Sequence, residues 1–155
     1  TLLKGPNIPD PEADLGIHSF RYALMLHQGE QDLPKVVRAA ERFNNPVMVY
    51  GRIEESPAAG PLTSAFSFVR ADNENLTLET VKQSEQGQKL VLRIFEHSNR
   101  RNRTRLEFGL PVTQVVETDM MERSTGENYL VADNAIELSF RPFEIKTLMI
   151  SLAQH

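Results

Sequence analysis

Hydrophobic and polar side chains alternate with period two along most of this chain. From Ile17 to His27, Phe20, Tyr22, Leu24 and Leu26 fall on one face and Ser19, Arg21, Ala23 and Met25 on the other, which predicts a strand buried mainly on one side. The period changes between Pro34 and Phe43. There Val36, Ala39, Ala40 and Phe43 recur at helical intervals, Pro34 suits a first helical turn, and Asn44-Asn45-Pro46 stops it, predicting one short helix over residues 34–43. Period two then resumes in Val47 to Tyr50, Phe66 to Arg70, Leu76 to Val81, Leu90 to Phe95 and Leu106 to Leu110, separated by turn-rich stretches such as Glu85-Gln86-Gly87-Gln88. Farther on, Ile136, Leu138 and Phe140 oppose Glu137, Ser139 and Arg141. Pro142 interrupts the ladder before Phe143 to Leu152 and predicts a corner or a change of sheet. About nine short strands with connections too short for crossover helices predict an all-β antiparallel β-sandwich carrying that single helix.

Pro6, Pro9 and Pro11, with Gly5 and Gly16, deny regular structure to residues 1–16, which are read as an extended lead-in to one domain spanning residues 17–155. Ser56-Pro57-Ala58-Ala59-Gly60-Pro61 is read as a surface loop, and no internal repeat divides the chain. The 155 residues, 40% hydrophobic, suffice for one core. A net charge of -4 argues against a sequence-independent nucleic-acid binder. The absence of cysteine excludes a disulfide framework and a thiolate nucleophile, and points to a reducing, cytoplasmic setting. No segment has the roughly 18 apolar residues of a membrane-spanning helix. Asn75-Leu76-Thr77 and Asn102-Arg103-Thr104 match the glycosylation sequon, a short pattern that means little without a secretory context.

Candidate chemistry is sparse. Glu117, Asp119 and Glu122 invite comparison with the carboxylate pairs of glycosidases, yet in an acidic chain they read first as a solvated or ion-paired edge. His18 and His27, preceded by Asp10 and Asp14, could supply zinc ligands. On a regular strand, however, their odd separation turns the two rings to opposite sides about 30 Å apart. HExxH, glycine-rich phosphate loops and GxSxG are absent. Arg100, Arg101, Arg103 and Arg105 have no aromatic neighbour to stack a base, and read as a charged hairpin tip. Three tyrosines and no tryptophan give little sign of a sugar-stacking platform.

Five segments in order carry a resemblance. Pro9-Asp10-Pro11-Glu12-Ala13-Asp14-Leu15-Gly16-Ile17-His18-Ser19-Phe20-Arg21-Tyr22-Ala23-Leu24, Asn75-Leu76-Thr77-Leu78-Glu79-Thr80-Val81-Lys82, Leu92-Arg93-Ile94-Phe95-Glu96, Glu117-Thr118-Asp119-Met120-Met121-Glu122-Arg123 and Arg141-Pro142-Phe143-Glu144-Ile145-Lys146-Thr147-Leu148 closely resemble the carboxyl-terminal end of glycoside hydrolase family 38 α-mannosidases. The resemblance implies a piece of a zinc-dependent retaining enzyme that cleaves α-mannosides through an aspartate nucleophile. The family's catalytic carboxylate and zinc ligands lie on a preceding α/β domain, so no catalytic residue, metal ligand or cofactor is expected within these 155 residues. The implied partners are the enzyme's own preceding domains and, in the parent enzyme, a mannoside. An isolated fragment would self-associate through its uncovered interdomain surface. The resemblance also implies that residues 10–16 face the mannose-binding side. Some members have arginine where this chain has Leu15, so Asp10 and Asp14 are the residues expected to shape the substrate rim, by fixing the backbone. A stand-alone carbohydrate-binding module and a structural assembly domain remain the alternative readings.

Overall fold

Eight short antiparallel strands and one helix account for the regular structure in the computed structural model, which describes residue 5 and residues 8–29, 32–49 and 65–153. The helix α1 (Leu33–Asn44) begins with Pro34 in its first turn and ends where the Asn45 N–H donates to the Glu41 carbonyl at 2.7 Å. The strands are β1 (Val69–Ala71), β2 (Leu76–Gln83), β3 (Leu90–Glu96), β4 (Asn102–Phe108), β5 (Val112–Thr118), β6 (Ser124–Tyr129), β7 (Ala135–Phe140) and β8 (Ile145–Leu152). They form a three-stranded sheet in the order β1-β4-β7 and a five-stranded sheet in the order β2-β3-β8-β5-β6. Leu106, Phe108, Ile136, Leu138 and Phe140 of the first sheet meet Leu92, Ile94, Val115, Leu148 and Ile150 of the second in one buried cluster. This is the predicted all-β sandwich. The Pro142 corner is indeed a sheet switch, because β7 and β8 on either side of it belong to different sheets.

Local alternation explains most strand positions and also where they depart from expectation. The fourth strand covers 102–108 rather than 106–110. Arg103, Arg105 and Glu107 form its outer face while Thr104, Leu106 and Phe108 are buried, so the basic run is half of an alternating strand and only Arg100 and Arg101 sit in the turn. Strand β6 was not distinguished in the sequence, because Ser124 to Asn128 are polar and exposed and give no period. The alternating stretch from Ile17 to His27 pairs with nothing among the described residues and is not a strand. Tyr22 is 78% exposed, Leu24 96% and Leu26 99%. A strand needs a neighbour to take its backbone hydrogen bonds, and alternation supplies only half of that requirement. Val47 to Val49 likewise form no strand and are exposed, while Tyr50 and the Ser56–Pro61 loop lie outside the described residues.

Two turns lock the sandwich. Asp133 and Asn134 both take positive φ (49° and 55°), the conformation of a two-residue hairpin turn, closed by reciprocal bonds between Ala132 and Ala135 at 2.9 and 3.0 Å. The Asn134 side chain then donates to the carbonyls of Phe108 (2.6 Å) and Leu110 (2.9 Å) and accepts from the Val112 N–H (2.8 Å), fixing the β4–β5 crossover. Gly109 lies in that crossover beside the backbone carbonyl of Ser67 and the Phe66 ring, where a Cβ would overlap both.

Candidate functional site

The acidic block after β5 forms a turn. Asp119 accepts from the N–H groups of Met121 and Arg123, each at 2.9 Å, and its own N–H reaches the Arg123 carbonyl at 2.9 Å. Glu122 follows at φ 63° and accepts from Lys82 Nζ at 2.6 Å and the Glu85 N–H at 2.8 Å, tying this turn to the β2–β3 turn. The Lys82 hydrogen bond holds the Glu122 carboxyl below its ordinary range, and Glu122 raises Lys82 in return. Glu117 points elsewhere. It accepts from Lys146 Nζ at 2.7 Å and from the Tyr129 hydroxyl, so one carboxylate joins β5, β6 and β8. Burial first, and then Glu117, push the Tyr129 phenol far above its ordinary pKa. The three carboxylates that most invited a catalytic reading therefore serve three separate structural contacts.

A second cluster gathers where β3 ends. Glu96, 1% exposed, accepts from the Ser98 N–H (2.7 Å), Asn102 Nδ2 (3.0 Å) and the Phe143 N–H (2.9 Å). Asn75 Nδ2 donates to Asn73 and Asn102 at 3.1 and 3.3 Å. Both sequon asparagines thus commit their amides to the fold, where a glycan would break these bonds. An open cavity of about 470 Å³ adjoins this cluster, walled by Leu33 and Pro34 of α1, His97, Ser98, Arg100 and Phe143. The His97 ring meets the Thr77 hydroxyl at 3.2 Å through Nδ1, and its buried Nε2 has no partner among the described residues. Burial lowers the His97 pKa from 6.5, overriding the opposing pull of Glu96 and Glu41. The unfolded chain therefore takes up a proton first as pH falls through 6.5, and stability declines in the window between that value and the folded pKa. His97→Gln is expected to flatten this part of a stability–pH profile measured by urea unfolding; an unchanged slope would show that His97 does not set it.

The remaining sequence candidates stand apart from both clusters. Asp10 Oδ1 accepts from the Glu12 N–H at 2.9 Å, and Asp14 takes φ 62°, its carbonyl 2.8 Å from His18 Nε2. His27 Nδ1 lies 3.1 Å from the Gly29 carbonyl. Each histidine thus bonds its own neighbourhood, and the described residues contain no group of three or more His, Asp or Glu side chains placed to hold a metal. Arg105 faces Glu107 and Glu137 at 3.4 and 3.8 Å. No helix among the described residues is long and apolar enough to cross a membrane. Sequence reasoning missed the Glu96 and Lys146 clusters because their partners lie up to 47 positions away, beyond any local period.

Residues 75–148 match the family described as "Glycosyl hydrolases family 38 C-terminal beta sandwich domain". The chain is 36% identical over 98% of its length to human alpha-mannosidase 2C1 and 34% identical over 98% to the mouse protein of that name. It is 27% identical over 95% of its length to alpha-mannosidase G of Dictyostelium discoideum. In each comparison it spans about 14% of the relative's length. The chain belongs to glycoside hydrolase family 38, as a C-terminal β-sandwich domain of that family.

Proposed function

We propose that this chain is the non-catalytic β domain of a zinc-dependent retaining enzyme that hydrolyses α-mannosides in the cytoplasm. The observation that carries the reading is alignment over nearly the whole chain with α-mannosidases, in a chain whose acidic clusters are engaged in holding its own strands and turns. Its work in such an enzyme is mechanical: to fix the residues that border the active site and to cover the faces of its neighbours. The described residues hold no group of three or more His, Asp or Glu side chains placed for zinc, and on this reading the metal sits on polypeptide outside this chain. The decisive assay compares the natural-length gene product and the 155-residue chain on an aryl α-mannoside, with and without a chelator. Chelator-sensitive release by the long protein alone supports the proposal. Activity of the short chain overturns it, and mannoside affinity of the short chain without hydrolysis favours an autonomous carbohydrate-binding module.

Residues 10–16 are proposed to run along the substrate rim, with Asp10 and Asp14 setting their course. Asp14→Ala in the natural-length enzyme is expected to lower kcat/KM by about tenfold, a loss of about 1.4 kcal/mol in transition-state stabilisation. Because Asp14 has positive φ, Asp14→Gly serves as the control that removes the carboxylate without backbone strain. Unchanged kinetics in both variants would remove Asp14 from the rim.

A further inference from the structure

The stretch from residue 17 to 28 runs without helix, turn or bend, yet lies in no sheet. No backbone N–H or carbonyl of residues 19–26 makes a hydrogen bond among the described residues, and Ile17, Tyr22, Leu24 and Leu26 are largely or fully exposed. Bare peptide groups together with bare apolar side chains are the two halves of an unpaired strand. Arg21 ties the stretch to the end of α1. Arg21 Nη2 donates to the Phe43 carbonyl at 3.2 Å, and the guanidinium lies 5.1 Å from the centre of the Phe43 ring. In an extended chain this turns the Arg21 face towards the end of α1 and the opposite face, with Phe20, Tyr22, Leu24 and Leu26, away from it.

We propose that residues 19–26 are a docking strand that completes an open β-sheet in the part of the same polypeptide outside this chain, pairing through its backbone and burying Tyr22, Leu24 and Leu26. The inference rests on the reading that the chain is one domain of a longer enzyme. Its occupant is chosen on length. Relatives that align across 98% of this chain are covered only to 14% of their own length, which leaves most of such a polypeptide to supply the sheet. Tethering through one chain gives that sheet a high effective concentration, which a second copy lacks. Strand addition also accounts for the period-two pattern, since the paired backbone confers affinity and alternate side chains confer register.

Hydrogen exchange tests this directly. In the natural-length protein the amides of residues 19–26 are expected to exchange at least about 100-fold more slowly than in the 155-residue chain at low concentration. Equal, rapid exchange in both overturns the proposal, as does protection in the short chain that grows with its concentration, which would make a second copy the occupant. Leu24→Pro, which removes one ladder donor, should abolish protection in the natural-length protein and leave the melting temperature of the short chain unchanged. Retained protection in that variant also overturns the docking. Aryl α-mannoside hydrolysis is read in parallel. Hydrolysis without protection rejects the docking strand and leaves the enzyme reading intact, while protection without hydrolysis does the reverse.

Discussion

Glu96→Ala is expected to destabilise this domain by about 3–5 kcal/mol, which in a domain of this size lowers the melting temperature by roughly 10 °C. The side chain is 1% exposed and gathers three donors from separate places: Ser98 in the β3–β4 turn, Asn102 at the start of β4, and Phe143 in the β7–β8 turn. Alanine leaves two backbone N–H groups without an acceptor and the Asn102 amide with only its longer bond to the Arg100 carbonyl, at 3.4 Å. Each such orphan costs about 1–3 kcal/mol. The Phe143 residue is especially exposed to the loss, because it holds φ 56° in the turn that carries the chain from one sheet to the other. Glu96→Gln keeps one acceptor oxygen and should fall between wild type and alanine. Urea unfolding of the three proteins at pH 7 checks the order. A change within about 0.5 kcal/mol for Glu96→Ala would mean that the bonds contribute nothing net.

How much of this was legible in the sequence depended on whether the relevant partner was near. Ile136, Leu138 and Phe140 face the core as their alternation requires, and Pro142 marks the change of sheet because a missing N–H cannot continue a ladder. Pro34 and Asn45 bound the helix for equally local reasons. Alternation failed where a neighbour decided the outcome. Ile17 to His27 alternates as regularly as β7 but has no adjacent strand among the described residues, and β6 does not alternate yet pairs with β5. The acidic block was readable as an ion-paired edge, and Glu117 and Glu122 are ion-paired, but which side chains they meet was not readable. Glu117 and Asp119 are two positions apart, yet Glu117 contacts Lys146 and Asp119 closes its own turn, a division visible only in three dimensions.

Lys146→Ala should produce the second large loss, about 2–4 kcal/mol, because it strands a largely buried carboxylate. The Lys146 and Glu117 side chains are 10% and 18% exposed and meet at 2.7 Å, with the Tyr129 hydroxyl 3.3 Å from Nζ and also bonded to Glu117. Desolvating both ions costs much of what their attraction returns, so the pair adds little compared with an apolar pair of the same shape; removing one member is the costly event. The double variant Glu117→Leu/Lys146→Met is accordingly expected to lose only the cost of the Tyr129 hydroxyl it strands, about 1–3 kcal/mol, well below the sum of the single losses. The site also decides the fate of β6, an edge strand whose Ser124 to Asn128 are polar and exposed and whose Tyr129 is its anchor in this cluster. Hydrogen exchange should therefore show the amides of 124–129 opening earlier in Lys146→Ala than those of β3 and β8, which pair on both sides. Additive losses in the double variant would mean that the two side chains stabilise the sheet independently. Coupled losses with selective release of β6 would establish Lys146 and Glu117 as the clasp between the edge of the sandwich and its centre.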